Sequence, residues 1–231
     1  MSEYVPALPP EEIERIRRWH ESAYQLAKQE AVGGQRFEYL GRIIDVPEQV
    51  QPITGMSHLL GEIVLAEAAA SDRVLDMGTG SGVNAILAAG AARRVLAVDI
   101  NPIAVEAARA NAVTNGVADR VEVRESDVFS AVDGEFDLIV FDPPFRWFAP
   151  RDLQEAAMTD ENYRALTAFF RQARARLAPD GRMLISFGTS GDLGHLRDLM
   201  AEEGFQSEVV AVRDMVRDGV RVEYFIFRVT P

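Results

Sequence analysis

The chain has 231 residues, 24 basic against 36 acidic, for a formal net charge of −12, with 48% hydrophobic and 26% charged residues. These values suit one compact domain with a short appendage and exclude a disordered chain, and the lack of cysteine removes disulfides, thiolate nucleophiles and cysteine zinc sites together. The longest apolar stretches, such as Ile86–Ala92, fall far short of the roughly 20 residues that span a bilayer. Met1–Pro10 lacks a secretory pattern, and the acidic balance opposes a broad nucleic-acid surface, so a cytoplasmic protein without a membrane partner is expected.

In chain order, Glu11–Glu30 places Ile13, Ile16, His20, Tyr24 and Ala27 on one stripe and predicts a helix, which Gly33-Gly34 ends. Arg36–Val46 predicts a short strand pair, and Pro47 and Pro52 then force irregular chain. Ser57 is placed to cap a helix through Ala70, with Leu59, Leu60, Ile63 and Val64 inward. Residues 1–55 are thus expected to form an N-terminal cap on a domain of residues 56–231.

From Asp72 the pattern becomes regular. Arg73–Asp76, Arg94–Asp99, Arg120–Arg124, Phe136–Phe141 and Arg182–Phe187 predict strands, alternating with helices near Val83–Ala91, Pro102–Asn115 and Glu161–Leu177. Such alternation implies right-handed crossovers and a mostly parallel sheet covered on both faces. Phe205–Arg213 and Val220–Val229 flank Asp218-Gly219, a hairpin turn signal, so the last strands are expected to be antiparallel. The predicted fold is α/β and Rossmann-like, with a C-terminal antiparallel hairpin.

Four signals carry chemistry. Asp76-Met77-Gly78-Thr79-Gly80-Ser81-Gly82 follows the first parallel strand, where glycines let the backbone turn sharply and a ligand approach closely; the plain alternative is a tight connection. The loop lacks the ending of a phosphate-cradling P-loop. Asp99 ends the next strand, placed to accept hydrogen bonds from both hydroxyls of a ribose. Asp127, in a loop after the third strand, can accept from an exocyclic adenine amine, with Val128 offering an amide, although a solvated loop acid has the same appearance. Asp142-Pro143-Pro144-Phe145 ends the fourth strand. Two prolines stiffen the backbone and remove two amide donors, so the Asp142 carboxylate and the Pro143 carbonyl can both accept from one NH₂ group while Phe145 lies against a flat acceptor.

At these residues the sequence resembles the class I S-adenosylmethionine-dependent methyltransferases over roughly Pro52–Val229. More narrowly, it resembles the small-domain group with an (Asn/Asp)-Pro-Pro-(Tyr/Phe/Trp) motif, and above all the release-factor glutamine N5-methyltransferases. The resemblance implies a seven-stranded sheet of order 3-2-1-4-5-7-6. It implies that Asp76, Gly78, Thr79, Gly80 and Gly82 line the methionine end of S-adenosyl-L-methionine, with S-adenosyl-L-homocysteine as product. It places Asp99, Ile100 and Asn101 at the ribose, Asp127 and Val128 at the adenine, and Asp142, Pro143, Pro144 and Phe145 at the acceptor, with no metal. Two departures stand out: that group usually carries Asn where this chain has Asp142, and a longer helical N-terminal domain. Asp142–Arg146 is instead similar to rRNA guanine-N2 and some DNA adenine methyltransferases.

The expected reaction is methyl transfer to a planar or amine nitrogen. Small-molecule acceptors rank first, a protein glutamine second and an RNA base amine third. A dinucleotide oxidoreductase shares the sheet and the acid, but should show Gly-x-Gly-x-x-Gly and leaves Asp142–Phe145 without a purpose; a non-catalytic scaffold subunit is the remaining alternative. The loop from Arg146 to Asp160 is either a lid or a segment whose Trp147 packs on the sheet end. His20, His58 and His195 show no metal spacing, and the arginines at 171, 174 and 176 suggest a solvated helix face.

Overall fold

A computed structural model describes residues 4–30, 32–217 and 219–231. Among these, seven strands form one sheet in the order β5-β4-β3-β6-β7-β9-β8. The strands are β3 (Arg73–Met77), β4 (Arg94–Asp99), β5 (Val121–Glu125), β6 (Phe136–Phe141), β7 (Leu177–Gly188), β8 (Gln206–Arg217) and β9 (Val220–Thr230). The first five run parallel; β9 is antiparallel to both β7 and β8. Counted along the sheet alone, this is the order 3-2-1-4-5-7-6. Gly219 holds φ of 74° at the β8–β9 turn, while Asp218, its predicted partner there, lies outside the described residues, as do Met1–Glu3 and Ala31.

The central strands are apolar on both faces because helices cover both. Val74, Leu75, Leu138, Ile139 and Val140 are fully buried, as parallel strands between two helical layers require. The covering helices are α2 (Ser57–Glu67), α3 (Val83–Ala88), α4 (Pro102–Thr114), α6 (Arg164–Ala173) and α7 (Leu193–Glu202). Pro102 opens α4, and Asn101 caps it by accepting from Ile103 N at 3.0 Å.

Three local expectations need correction. Ser57 is the first residue of α2 and makes no cap bond to the helix; its hydroxyl accepts from Thr54 N at 3.1 Å and closes the preceding turn. The helix expected over Glu161–Leu177 is broken: Asn162 and Tyr163 hold positive φ, so α6 starts only at Arg164 and ends in a 3-10 turn at Arg174–Arg176. Two helices go beyond the sequence reading, α7 and the short α5 (Leu153–Ala156).

The N-terminal region is tied to the sheet domain at several points. In α1 (Pro10–Glu30), Ile16 and Trp19 belong to the same buried cluster as the strands, each contributing about 1.5–3 kcal/mol by burial. Tyr24 and Ala27 pack with Met158. The hairpin of β1 (Gln35–Tyr39) and β2 (Arg42–Val46) turns at Leu40-Gly41, where φ is 47° and 75°, the signature of a tight two-residue turn. Asn111 of α4 fixes it in place: its amide accepts from Asp45 N at 2.9 Å and donates to Asp45 O at 2.7 Å and Ser81 O at 2.8 Å.

Candidate active site

The glycine-rich loop leaves the carboxyl end of β3 and is clamped from behind. Asp76, 1% exposed, accepts from Thr79 Oγ1 at 2.6 Å and Ala85 N at 3.0 Å through one oxygen. Burial pushes its carboxyl up to about 7, against the pull of those two bonds. Gly78, Gly80 and Gly82 hold φ of 66°, 55° and 88°. At Gly82 a Cβ would meet Ala108 Cα at 3.0 Å, so this glycine lets α3 approach α4. Gly78, Thr79, Gly80 and Ser81 line the large cavity beyond the strand ends. Asp76 and Gly82, expected there too, stand behind the loop and shape it.

Asp99 ends β4 beside this loop. It accepts from Gly80 N at 2.8 Å and Asn101 N at 2.9 Å, one bond to each oxygen. Burial raises its pKa while these backbone bonds hold it down. Further lone pairs remain on the carboxylate, and Asp99, Ile100 and Asn101 all line the cavity. Asn101 is already engaged, capping α4 and donating to Gln49 O at 2.9 Å.

Asp127 and Val128 also line the cavity, in different states. Asp127 is exposed and takes Arg164 in a two-point pair at 3.0 and 3.2 Å. Val128 has φ of 50°, a costly conformation for a β-branched residue. The Ser126 hydroxyl pins the Val128 carbonyl at 2.8 Å, and the Val128 amide finds no acceptor among the described residues. Strain is held here in a loop that presents a free donor.

The carboxyl end of β6 carries Asp142, Pro143, Pro144 and Phe145, all lining the same cavity. Asp142 is open to the cavity yet enclosed by the molecule around it. Its carboxyl is pushed up to about 6 by that enclosure, against the Ser186 hydroxyl and the Arg146 charge. The Pro143 carbonyl receives no donor among the described residues. Phe145 packs 5.0 Å from Phe187 and 5.8 Å from Tyr224, centroid to centroid.

The cavity holds about 620 Å³, within the range of small-molecule sites. Its far walls come from segments without a motif: Trp19, Ala23 and Ala27 of α1, residues 49–54, residues 156–161, and Met215, Arg217 and Tyr224 of the C-terminal hairpin. Trp19 continues the predicted helix stripe, at one turn from Ile16, so its inward position was readable; its place in a site was not. The 146–160 segment is strapped down. Asp160 N donates to Arg146 O at 2.7 Å, Asn162 N to Trp147 O at 3.0 Å and Gln154 Nε2 to Ala27 O at 2.9 Å, while the buried pair His20 Nε2 and Glu155 Oε1 meets at 2.7 Å. Trp147 is buried, 8% exposed. Glu155 is held down at about 2, its burial outweighed by Arg151 and His20, while burial lowers the His20 pKa against that bond.

His58 and His195 serve packing: His58 lies 4.5 Å from the Tyr39 ring, and His195 stacks 4.8 Å from Tyr163. Arg174, expected on a solvated face, donates to the Glu203 and Gly204 carbonyls and covers the Phe205 ring.

A glycine-turned loop, a strand-end acid beside it and an Asp-Pro-Pro-Phe wall thus share one cavity. Residues 54–211 match the methyltransferase small domain family. The chain belongs to that family, and so to the S-adenosylmethionine-dependent methyltransferases. The release factor glutamine methyltransferase of Cereibacter sphaeroides is 31% identical over 205 residues, covering 79% of this chain and 69% of that protein. The ribosomal protein L11 methyltransferase of an Exiguobacterium species is 36% identical over 149 residues. This match covers 62% of the chain and 40% of that relative, so the chain spans well under half the length of the second protein. The crystal structure of ribosomal protein L11 methylase from Lactobacillus delbrueckii subsp. bulgaricus shares the fold at a TM-score of 0.57 and 24% identity, covering 79% of this chain and 82% of that one. Among the described residues, no helix is long and apolar enough to cross a membrane.

Proposed function

We propose that the protein methylates a planar or amine nitrogen of a small molecule, using S-adenosyl-L-methionine. The observation that carries this reading is the lining of the cavity: residues of α1 and residues 49–54 border it together with Asp142–Phe145. A narrow slot open at one end would suit a glutamine side chain on a protein, and a broad arginine-lined groove would suit RNA. In this reading residues 1–55 act as the cap that closes the acceptor end, and residues 56–231 as the catalytic unit.

The cofactor residues follow from the donors and acceptors present. Gly78, Thr79 and Gly80 would border the methionine end, with Asp76 and Gly82 holding the loop in shape. Asp99, with Ile100 and Asn101 beside it, would take the ribose hydroxyls, and the free amide of Val128 would meet an adenine ring nitrogen. Asp127 keeps lone pairs for an adenine amine while it holds Arg164.

The cofactor supplies a methyl group on a sulfonium that needs no further activation. Asp142 and the Pro143 carbonyl would accept the hydrogens of the acceptor NH₂ and aim its lone pair along one line. A methyl group passed to this nitrogen would exchange the cofactor's C–S bond for a C–N bond, with S-adenosyl-L-homocysteine as the leaving group, and would leave the nitrogen positive. Asp142 stabilises that charge and accepts the released proton, directly or through water. The test is transfer of label from methyl-labelled S-adenosyl-L-methionine into a cell extract split into small molecules, protein and RNA. Label in the small-molecule fraction is expected; label confined to protein or to RNA would replace this reading with the second or third acceptor class.

A further inference from the structure

The acceptor end of the cavity holds two arginines that form no salt bridge among the described residues. Arg146, 5% exposed, donates through Nε to Ser190 O at 3.1 Å and through Nη2 to Ser190 Oγ at 3.0 Å. Arg217, half-buried on β8, lays its guanidinium over the Trp19 ring, 5.2 Å from the centroid. Among the described residues, no carboxylate oxygen lies within 4.0 Å of either group. Other arginines at comparable places are paired. Arg164, on the same cavity, holds Asp127, and the partly buried Arg182 sits between Glu67 and Asp72. Arg146 remains charged despite burial, since a guanidinium is not deprotonated in proteins. A buried cation without a counter-charge is strongly unfavourable unless a ligand supplies one.

Charge and topology say what that ligand is. Arg146 and Arg217 offer unpaired donors beside Asp142, while Asp160, which also lines the cavity, is engaged by Ala165 N and Leu166 N at 3.0 and 2.9 Å; a group with one negative charge suits these donors, and a dianion would crowd Asp142. Arg146, Arg217 and Tyr224 lie on the β6–β9 side of the sheet, whereas the glycine loop and Asp99 sit at the ends of β3 and β4. Resting on the methyltransferase reading above, we propose that the acceptor carries a carboxylate, held by Arg146 and Arg217 while its nitrogen faces Asp142 and Pro143. The planar guanidinium, which can give a carboxylate two parallel N–H bonds, suits a carboxylate held in one orientation.

The experiment is calorimetric titration of the whole protein saturated with S-adenosyl-L-homocysteine. The probes are matched pairs: L-glutamine against L-glutaminamide, and 4-aminobenzoate against 4-aminobenzamide, with inorganic phosphate as a separate anion. In at least one pair the carboxylate should bind ten times or more tighter than its amide. Arg217→Gln should erase that preference while the affinity for S-adenosyl-L-homocysteine stays within twofold. Arg146→Lys, which keeps the charge in a buried position, should retain part of the preference, and Arg146→Gln should lose it. Equal affinity within both pairs, no binding of any carboxylate, or tighter binding of phosphate than of every carboxylate would overturn the proposal. If instead Arg217→Gln and Arg146→Gln weaken S-adenosyl-L-homocysteine by tenfold or more, the arginines serve the cofactor's own carboxylate and the proposal fails. Wild-type protein that does not bind S-adenosyl-L-homocysteine would overturn the methyltransferase reading itself, a separate result.

Discussion

The two ends of the cavity are built in opposite ways. At the β3–β4 end the carboxylates are already held by neighbouring backbone and side-chain donors: Asp76 by Thr79 and Ala85, and Asp99 by Gly80 and Asn101. At the β6–β9 end the groups come from distant segments and stay open, with Arg146 and Arg217 lacking a carboxylate and the Pro143 carbonyl lacking a donor. The first arrangement is rigid before any ligand arrives and suits a cofactor of fixed shape. The second keeps charge and hydrogen-bonding capacity in reserve for an acceptor. On the proposed reading, preorganisation serves the cofactor and unspent capacity serves the acceptor.

The largest expected effect lies at Asp142. Asp142→Ala is expected to lower kcat by about 10²–10³-fold, the scale for losing one aimed electrostatic partner of a transition state, measured by methyl transfer at saturating cofactor. Asp142→Asn keeps the acceptor for an NH₂ hydrogen and removes the charge. In the wild type kcat/KM should rise with pH as the carboxyl ionises at about 6 and level off above; the Asn variant should lose that limb. An unchanged pH profile would leave Asp142 an orienting role alone.

At the cofactor end the expected damage is to shape. Gly82→Ala adds a Cβ at 3.0 Å from Ala108 Cα and forces alanine to φ of 88°. Strain and overpacking together should cost about 2–4 kcal/mol of stability, read as a shift in urea midpoint with an unchanged slope. A wild-type midpoint would mean that the α3–α4 approach is looser than described.

A pH-dependent effect concerns Asp76, whose carboxyl lies near 7 in the fold, above the unfolded value. A raised acid contributes stability that is fully present below the unfolded pKa and lost as pH rises through the folded one. Asp76→Asn keeps an oxygen for Thr79 and Ala85 but does not ionise. The variant should therefore gain stability relative to wild type between about pH 4 and pH 7, followed by thermal unfolding. A constant difference over that range would show that Asp76 is not strained by its burial.

The same division explains what the sequence revealed. The sheet and the places of the glycine loop and Asp99 on the cavity were legible because each depends on short runs: β-branched strands, Gly78-x-Gly80, Asp99 at a strand end, and Pro102 at a helix start; the order of the strands came from the family resemblance alone. Asp142–Phe145 was legible because consecutive prolines at a strand end have few structural purposes. The far walls were not, because Trp19, Arg217 and Tyr224 meet Asp142 only after α1 and the C-terminal hairpin have packed. Trp147 took the packing role because residues 146–160 are bonded into the fold through Asp160, Gln154 and Glu155. The break at Asn162-Tyr163 escaped the helical pattern since the Tyr163 hydroxyl, which donates to Phe145 O at 2.7 Å and accepts from Asp192 N at 2.8 Å, imposes it from outside the helix.

If the cavity is divided between cofactor and acceptor, titration of S-adenosyl-L-homocysteine into wild type, Asp99→Ala and Arg217→Gln, side by side, separates the two ends. Removing a carboxylate that accepts from a ligand should cost about 1.5–3 kcal/mol, so Asp99→Ala should weaken binding more than about tenfold. Arg217→Gln should stay within twofold of wild type. Equal weakening in both variants, or none in Asp99→Ala, would contradict the division.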